Sequence, residues 1–348
     1  MQTPKRGRRG RRGRRLLTAI IVAVGLLLIV GYAGISVYAY SKVGPVSAHC
    51  PATEGFADIG DPTSFTASLT TQDGVNHVVD TTAYHMPPPQ TVSFRARDDP
   101  RVTIAAWWEP AAALDAPTVV VVHGQNGCRR NSGNLLVAGM LHRHGIAVLL
   151  IDMRNHGDST VDDGQFAAGT DEYRDVLGGL DWLAAQAVPK PRIGAFGFSG
   201  GAGSVLIAAG QEPTLAAVWA DSPWSDLRVA IDYSLASQAG LPAFLDVGVL
   251  LVGQLANGHS IGDLTPLAAA PKLAGRPVYL AAGANDSRLG PGHVEALAAA
   301  IEAAGGTAQT WIAPNADHTQ AHFLYPAEYE QRLVGFFGPA LGGVLAGS

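Results

Sequence analysis

The sequence predicts an α/β domain: a mostly parallel central sheet with helices on both faces and a small helical cover, preceded by one N-terminal apolar helix. Three observations predict it. Short apolar runs, such as residues 118–122 and 277–283, alternate with longer stretches of helical period, the pattern of parallel strands joined by right-handed crossovers. The runs are apolar throughout rather than at every second residue, as in strands buried on both faces. Three runs end in segments rich in Gly, Ser, Asp or His, and the loops at that end of such a sheet line one crevice. At 348 residues, 47% apolar and only 15% charged, the chain allows one large domain plus attachments.

The N-terminus differs from the rest. Residues 5–15 hold eight of the 24 basic residues and no acid, and residues 16–40 carry no charge. As a helix rising 1.5 Å per residue, that run is about 37 Å long, enough to cross a hydrocarbon core of about 30 Å with some tilt. Basic flanks stay cytoplasmic. The expectation is a basic cytoplasmic segment (1–15), a transmembrane helix (16–40) and a single-pass protein of the cell membrane with residues 41–348 outside the cytoplasm. A cleaved signal peptide is the rival, with Val46-Ser47-Ala48 as its cleavage site. The apolar run exceeds the usual core of roughly 7–15 residues in such peptides. Beyond residue 15 the chain has 16 basic against 29 acidic residues, formally −13, which argues against nucleic acid as a partner.

Residues 41–90 read as a tether or accessory segment, with an extended spacer at Pro87-Pro88-Pro89. The domain itself is expected over 91–340. Residues 91–96 and 102–108 read as two strands across Asp98-Asp99-Pro100, the antiparallel edge of the sheet. Strand 118–122, helix 135–144, strand 146–151 and helix 171–186 follow. Next come strand 192–196, a small-residue helix at 202–210 and strand 215–220. Residues 228–269 form the cover, two helical stretches broken at Gly240-Leu241-Pro242 and Asn257-Gly258. Tyr233, Leu241, Phe244, Leu245 and Leu250 are its candidates to line an acyl pocket. Strands at 277–283 and 309–313 and a last helix at 326–337 complete the pattern.

The candidate chemistry sits at Gly197-Phe198-Ser199-Gly200-Gly201, between an apolar strand and a helix. A strand reversing into a helix within a few residues crowds its backbone; glycines on either side let the turn tighten and expose one serine. Such a hydroxyl needs a base, usually a histidine held by a carboxylate. Asp286 follows strand 277–283, and His318 follows strand 309–313, so Ser199, Asp286 and His318 are expected to converge. Asp221 is the rival carboxylate and His322 the rival base. Strand 118–122 runs into His123-Gly124-Gln125-Asn126-Gly127. Backbone N–H groups of Gln125 and Gly200 are the expected oxyanion donors, with His123 structural.

These pieces resemble the α/β-hydrolase superfamily, in its prolyl-oligopeptidase-like and dienelactone-hydrolase-like branch. The resemblance rests on His123 to Gly127, Asp152-Met153-Arg154-Asn155-His156-Gly157-Asp158-Ser159, Gly197 to Gly201, Asp221-Ser222-Pro223, Gly283-Ala284-Asn285-Asp286 and Asp317-His318. It implies the α/β-hydrolase fold, a serine hydrolase acting on a carboxylic ester through an acyl-enzyme, and a structural role for His156 and Ser159. A peptidase, an amidase or an acyltransferase on the same triad is the alternative; a non-catalytic membrane-anchored binding module is another. Asn155 stands where the family has glycine, and Gly200 where it often has Met or Leu. No metal or organic cofactor is expected. The expected partners are a small-molecule or peptide acyl substrate and the membrane. Outside the cytoplasm Cys50 and Cys128 can form a disulfide, but their positions in sequence leave the pairing open.

Overall fold

The computed structural model describes residues 7–48, 50 and 59–342. Lys5 and Arg6 of the basic segment, His49 and residues 51–58 of the tether lie outside the described residues.

An eight-stranded sheet forms the centre. Its strands are β3 (Gln90–Ala96), β4 (Asp99–Glu109), β5 (Thr118–Val122), β6 (Ala147–Ile151), β7 (Ile193–Phe198), β8 (Ala217–Asp221), β9 (Val278–Gly283) and β10 (Ala308–Ala313). Their order is β10-β9-β8-β7-β5-β6-β4-β3. Pairing is parallel from β6 to β10, and β3 and β4 add an antiparallel edge. The edge follows from a short turn at Asp98, which no parallel crossover can use.

The uniformly apolar strands feed two cores. Val119, Val121, Phe196, Trp219 and Tyr279 face α2 (Ser132–His142) and α10 (Pro326–Ala340). Val120, Val122, Ala195, Val218 and Leu280 face α3 (Tyr173–Ala185), α4 (Gly200–Gln211) and α8 (Gly292–Ala303). Successive residues point to opposite faces, and helices cover both, so every residue of β5 to β9 is buried.

Three attachments flank this sheet. A hairpin of β1 (Ala67–Thr70) and β2 (Asn76–Val79) packs Phe65, Ala67 and Leu69 into the first core. The cover consists of α5 (Leu227–Ala239) and α6 (Asp246–Asn257), followed by the short α7 (Pro266–Ala269). Its breaks are Gly240 and Gly258, both at positive φ. Finally, α1 (Gly7–Val43) extends past both ends of the expected 16–40 span. Residues 13–43 have a mean hydropathy of 2.7 in their most apolar stretch, long and apolar enough to cross a membrane. The last turns of α1 lie against α6.

Candidate active site

The sharp turn after β7 places Ser199 at φ 50° and ψ −113°, a conformation that side chains rarely adopt. A Cβ on Gly197 would run into the backbone of Gly201, and one on Gly201 into the carbonyls of Val122 and His123. The two glycines are what let strand, turn and helix pass so close together. Ser199 N–H donates 2.8 Å to the carbonyl of Asp221, pinning the turn to β8.

Ser199 Oγ lies 2.7 Å from His318 Nε2, and His318 Nδ1 lies 2.8 Å from Asp286 Oδ2. The other oxygen of Asp286 accepts N–H bonds from Arg288 (3.0 Å) and Leu289 (2.9 Å). Burial pushes the Asp286 carboxyl up, but the His318 hydrogen bond and charge and these two amides outweigh it and hold it below the usual range. With Asp286 ionised, Nδ1 carries the proton and Nε2 is left free to accept one from Ser199.

The rival groups are placed elsewhere. Asp221 is buried, accepting from Tyr329 Oη (2.7 Å) and Ser222 Oγ (3.0 Å). Burial raises its carboxyl to about 6 against those two bonds. His322 sits in α9 (Ala321–Leu324), packed on Phe198 and Phe323. Burial drives its imidazole down to about 3. Both of its ring nitrogens lack a partner among the described residues.

The loop after β5 approaches the serine: a Cβ on Gly124 would stand 3.2 Å from Ser199 Cβ. Gln125 N and Gly200 are likewise adjacent, since a Cβ on Gly200 would lie 3.1 Å from that nitrogen. Gly200 opens α4, so its N–H belongs to the unpaired first turn. Two neutral histidines hold the loop. His123 Nδ1–H donates to Gly124 O (2.7 Å) and Nε2 accepts from Met153 N (3.0 Å); burial lowers it to about 4. His156 Nδ1–H donates to Arg154 O (2.7 Å) and Nε2 accepts from Asn126 N (3.2 Å); burial lowers it to about 3. Asn155 takes φ +65°, tolerable for Asn, and its Oδ1 receives the N–H groups of Asp162, Asp163 and Gly164.

Cys50 and Cys128 form a disulfide, with Cα atoms 5.3 Å apart. Two further bonds join the 123–127 loop to the N-terminal segment. Gln125 Nε2 donates 2.6 Å to Val43 O, and Ser47 N donates 2.9 Å to Asn126 Oδ1.

Ser199 opens into a cavity of about 40 Å³, room for a few waters at about 10–15 Å³ each. Gln125, Asn134, His318 and His322 are among its walls. Of the cover residues expected there, Leu241 and Leu245 instead pack on Ala39 and Tyr40 of α1, and Phe244 faces outward. The cover is turned toward α1, which supplies the apolar surface those residues need. Sequence reasoning missed Phe166, whose ring would stand 2.7 Å from a Cβ on Gly200. Phe166 fills the space beside Gly200, and nothing in its loop sequence signals that.

The sequence model of the X-Pro dipeptidyl-peptidase (S15) family matches residues 78–272, more than half of the chain. The chain belongs to that family. It is therefore an α/β-hydrolase-type hydrolase of the serine peptidase class. The matched region includes the 123–127 loop and Ser199 and ends before Asp286 and His318. Solved structures share the fold of this S15-family chain. An esterase of Pyrococcus furiosus is 23% identical with a TM-score of 0.60, over 74% of this chain and 93% of that one. A puromycin-hydrolyzing peptidase of Mycobacterium tuberculosis is 20% identical with a TM-score of 0.62, over 84% of this chain and 46% of that one. An acylaminoacyl peptidase of Pyrococcus horikoshii is 17% identical with a TM-score of 0.58, over 83% and 48%. This chain thus spans about half the length of those two peptidases. A search of curated proteins returns no match.

Proposed function

We propose that the chain is a membrane-anchored serine hydrolase that cleaves carboxylic esters through an acyl-enzyme. The observation that carries this reading is the continuous relay from Ser199 Oγ through His318 to Asp286, at 2.7 and 2.8 Å. Ser199 attacks the acyl carbonyl. His318 takes its proton and returns it to the leaving group, and Asp286 holds the imidazole and balances its charge. Gln125 and Gly200 N–H groups receive the oxyanion. α1 spans the membrane with its basic end inside, and the domain of residues 91–340 lies outside, joined through the 41–90 segment.

Family membership favours a peptidase as the second reading. Release of an X-Pro dipeptide requires a site for the substrate's α-ammonium, and buried charges need partners. Among the described residues that wall the cavity there is no Asp or Glu, whereas Arg288 is present. An uncharged acyl group suits such walls better than a free N-terminus.

The test is a fluorophosphonate probe applied to membranes carrying the full chain, with Ser199→Ala as control. Labelling of the wild type alone supports Ser199 as nucleophile; labelling that persists in the variant removes it. Comparison of a short-chain ester with an X-Pro amide of equal leaving-group quality then separates the two substrate classes.

A further inference from the structure

The cover carries an apolar stripe that the hydrolase reading leaves unused. Val247, Leu251 and Leu255 recur every fourth residue along one face of α6, and Phe244 continues them one turn earlier. They are 55%, 55%, 74% and 67% exposed. Large apolar side chains aligned on one exposed helix face mark an interaction surface.

What lies beside this stripe identifies its occupant. α6 is tied to α1 at Tyr32, whose hydroxyl donates 3.0 Å to Phe244 O and accepts 2.9 Å from Gly248 N–H. The rings of Tyr32 and Phe244 stack at 6.3 Å. A Cβ on Gly248 would strike Ser36 and the Tyr32 ring, so glycine is what allows this close crossing. At the other end, Asn257 Nδ2 donates 3.1 Å to Tyr40 Oη. α6 therefore runs beside α1 in the same direction, from the level of Tyr32 to that of Tyr40.

Those levels can be placed in a bilayer. Crossing the hydrocarbon takes about 20 residues, and the uncharged run starts at Leu16, after Arg15. Counted from there, the hydrocarbon ends near Ile35, beyond Tyr32. Sliding the window along the uncharged run moves that edge outward, so Tyr32 stays inside it. The groups bonded to Tyr32 lie at the same depth. Phe244 and Val247 then reach the hydrocarbon, and Leu251 and Leu255 the interface. The stripe itself carries no charged residue; the acid on this helix, Asp246, is 2% exposed and paired with Arg228 in the first turn of α5, whose side chain is 62% exposed.

We infer that α6 and the turn before it form a second membrane contact: their Phe244, Val247, Leu251 and Leu255 face docks into the outer leaflet alongside the anchor, as amphipathic interfacial helices do. The inference rests on the reading of α1 as a membrane span. Tyr233 of α5 connects this contact to the chemistry, donating 3.2 Å to the carbonyl of Asp286.

The full chain, reconstituted in phosphatidylcholine vesicles doped with a phospholipid bearing a diazirine on its acyl chain, is irradiated and mapped by peptide mass spectrometry. The expected result is adducts within residues 16–35 and on the peptide containing 244–255, with none on the exposed Val78 of the hairpin. Adducts on 16–35 with a silent 244–255 overturn the docking and leave the anchor intact. Silence at both places overturns the anchor and the docking with it. Equal labelling of Val78 and α6 also overturns the docking, because it makes the α6 adducts unspecific.

Discussion

Asp286 Oδ2 stands 2.8 Å from His318 Nδ1, while the equally buried Asp221 spends its oxygens on Tyr329 and Ser222. The two carboxylates therefore have different partners, and under the proposed mechanism different duties. Losing the group that orients the base leaves the wrong tautomer and an unsupported imidazolium, a loss on the order of 10⁴ in kcat in the serine-protease precedent. Asp286→Asn is expected to fall by that order in a folded protein. Asp221→Ala strands two buried hydroxyls, each unpaired group costing about 1–3 kcal/mol. It is expected to lower the melting temperature and keep turnover. A dead Asp221→Ala beside an active Asp286→Asn reverses the assignment.

His322 makes a prediction in pH. Its folded imidazole titrates at about 3 because burial opposes the charged form, against about 6.5 in an unfolded chain. For a base shifted down, the folded protein binds fewer protons, so its contribution is intact above pH 6.5 and is lost as pH falls below it. At pH 5 that amounts to about 2 kcal/mol. His322→Leu removes two unpartnered nitrogens and this loss together. Denaturant melts at pH 7 and pH 5 are expected to show the variant gaining about 2 kcal/mol on the wild type between them. A difference independent of pH rejects the buried, neutral state of His322.

Much of this arrangement was legible in the sequence, for reasons that differ by element. Uniformly apolar runs such as 118–122 announce strands buried on both faces, and the Gly197-x-Ser199-x-Gly201 spacing announces a turn that only small residues permit. Asp286 and His318 were placed because each directly follows a strand, and chain order supplies the rest. Contacts between segments far apart in sequence left no such trace. Phe166 against Gly200, Gln125 against Val43 and Phe244 against Tyr32 depend on how loops and the cover settle, which no local period encodes. The pairing of Cys50 with Cys128 belongs to the same class: two cysteines 78 residues apart do not specify their own proximity.

That disulfide is expected to be a strong stabiliser. Closing a loop of that length restricts the unfolded chain by roughly 4 kcal/mol in the chain-entropy model. Because Cys128 directly follows the loop proposed to hold the oxyanion, Cys50→Ser/Cys128→Ser is expected to lose about that stability and to weaken turnover as well. Thiol alkylation and mass spectrometry of the native protein should find no free cysteine. Two alkylated thiols in protein taken from its membrane place the domain in a reducing compartment and remove the bond.

The proposed anchor makes a prediction about sidedness. Basic residues before an apolar span stay in the cytoplasm. Protease added to spheroplasts is expected to digest the chain beyond residue 43 and to spare the arginine segment, as read by antibodies against tags at the two ends. Protection of the hydrolase domain reverses the orientation and puts the active site inside.

The packing of Gly200 against Phe166 gives the most selective test of the proposed oxyanion geometry. A Cβ at position 200 would meet the Phe166 ring at 2.7 Å and Gln125 N at 3.1 Å, so the first atom of any side chain already presses on both. Gly200→Met is expected to displace the ring and the Gln125 amide, and kcat should fall more than the ester KM rises, because the lost contact belongs to the transition state. Phe166→Ala alone opens a void and costs stability without touching the amide. The double variant Gly200→Met/Phe166→Ala lets the methionine occupy the vacated space. Neighbours sharing one space couple by about 0.5–3 kcal/mol, so the double variant is expected to recover roughly tenfold in kcat over Gly200→Met. Additive losses in kcat would mean that Phe166 does not set the room beside the oxyanion donors.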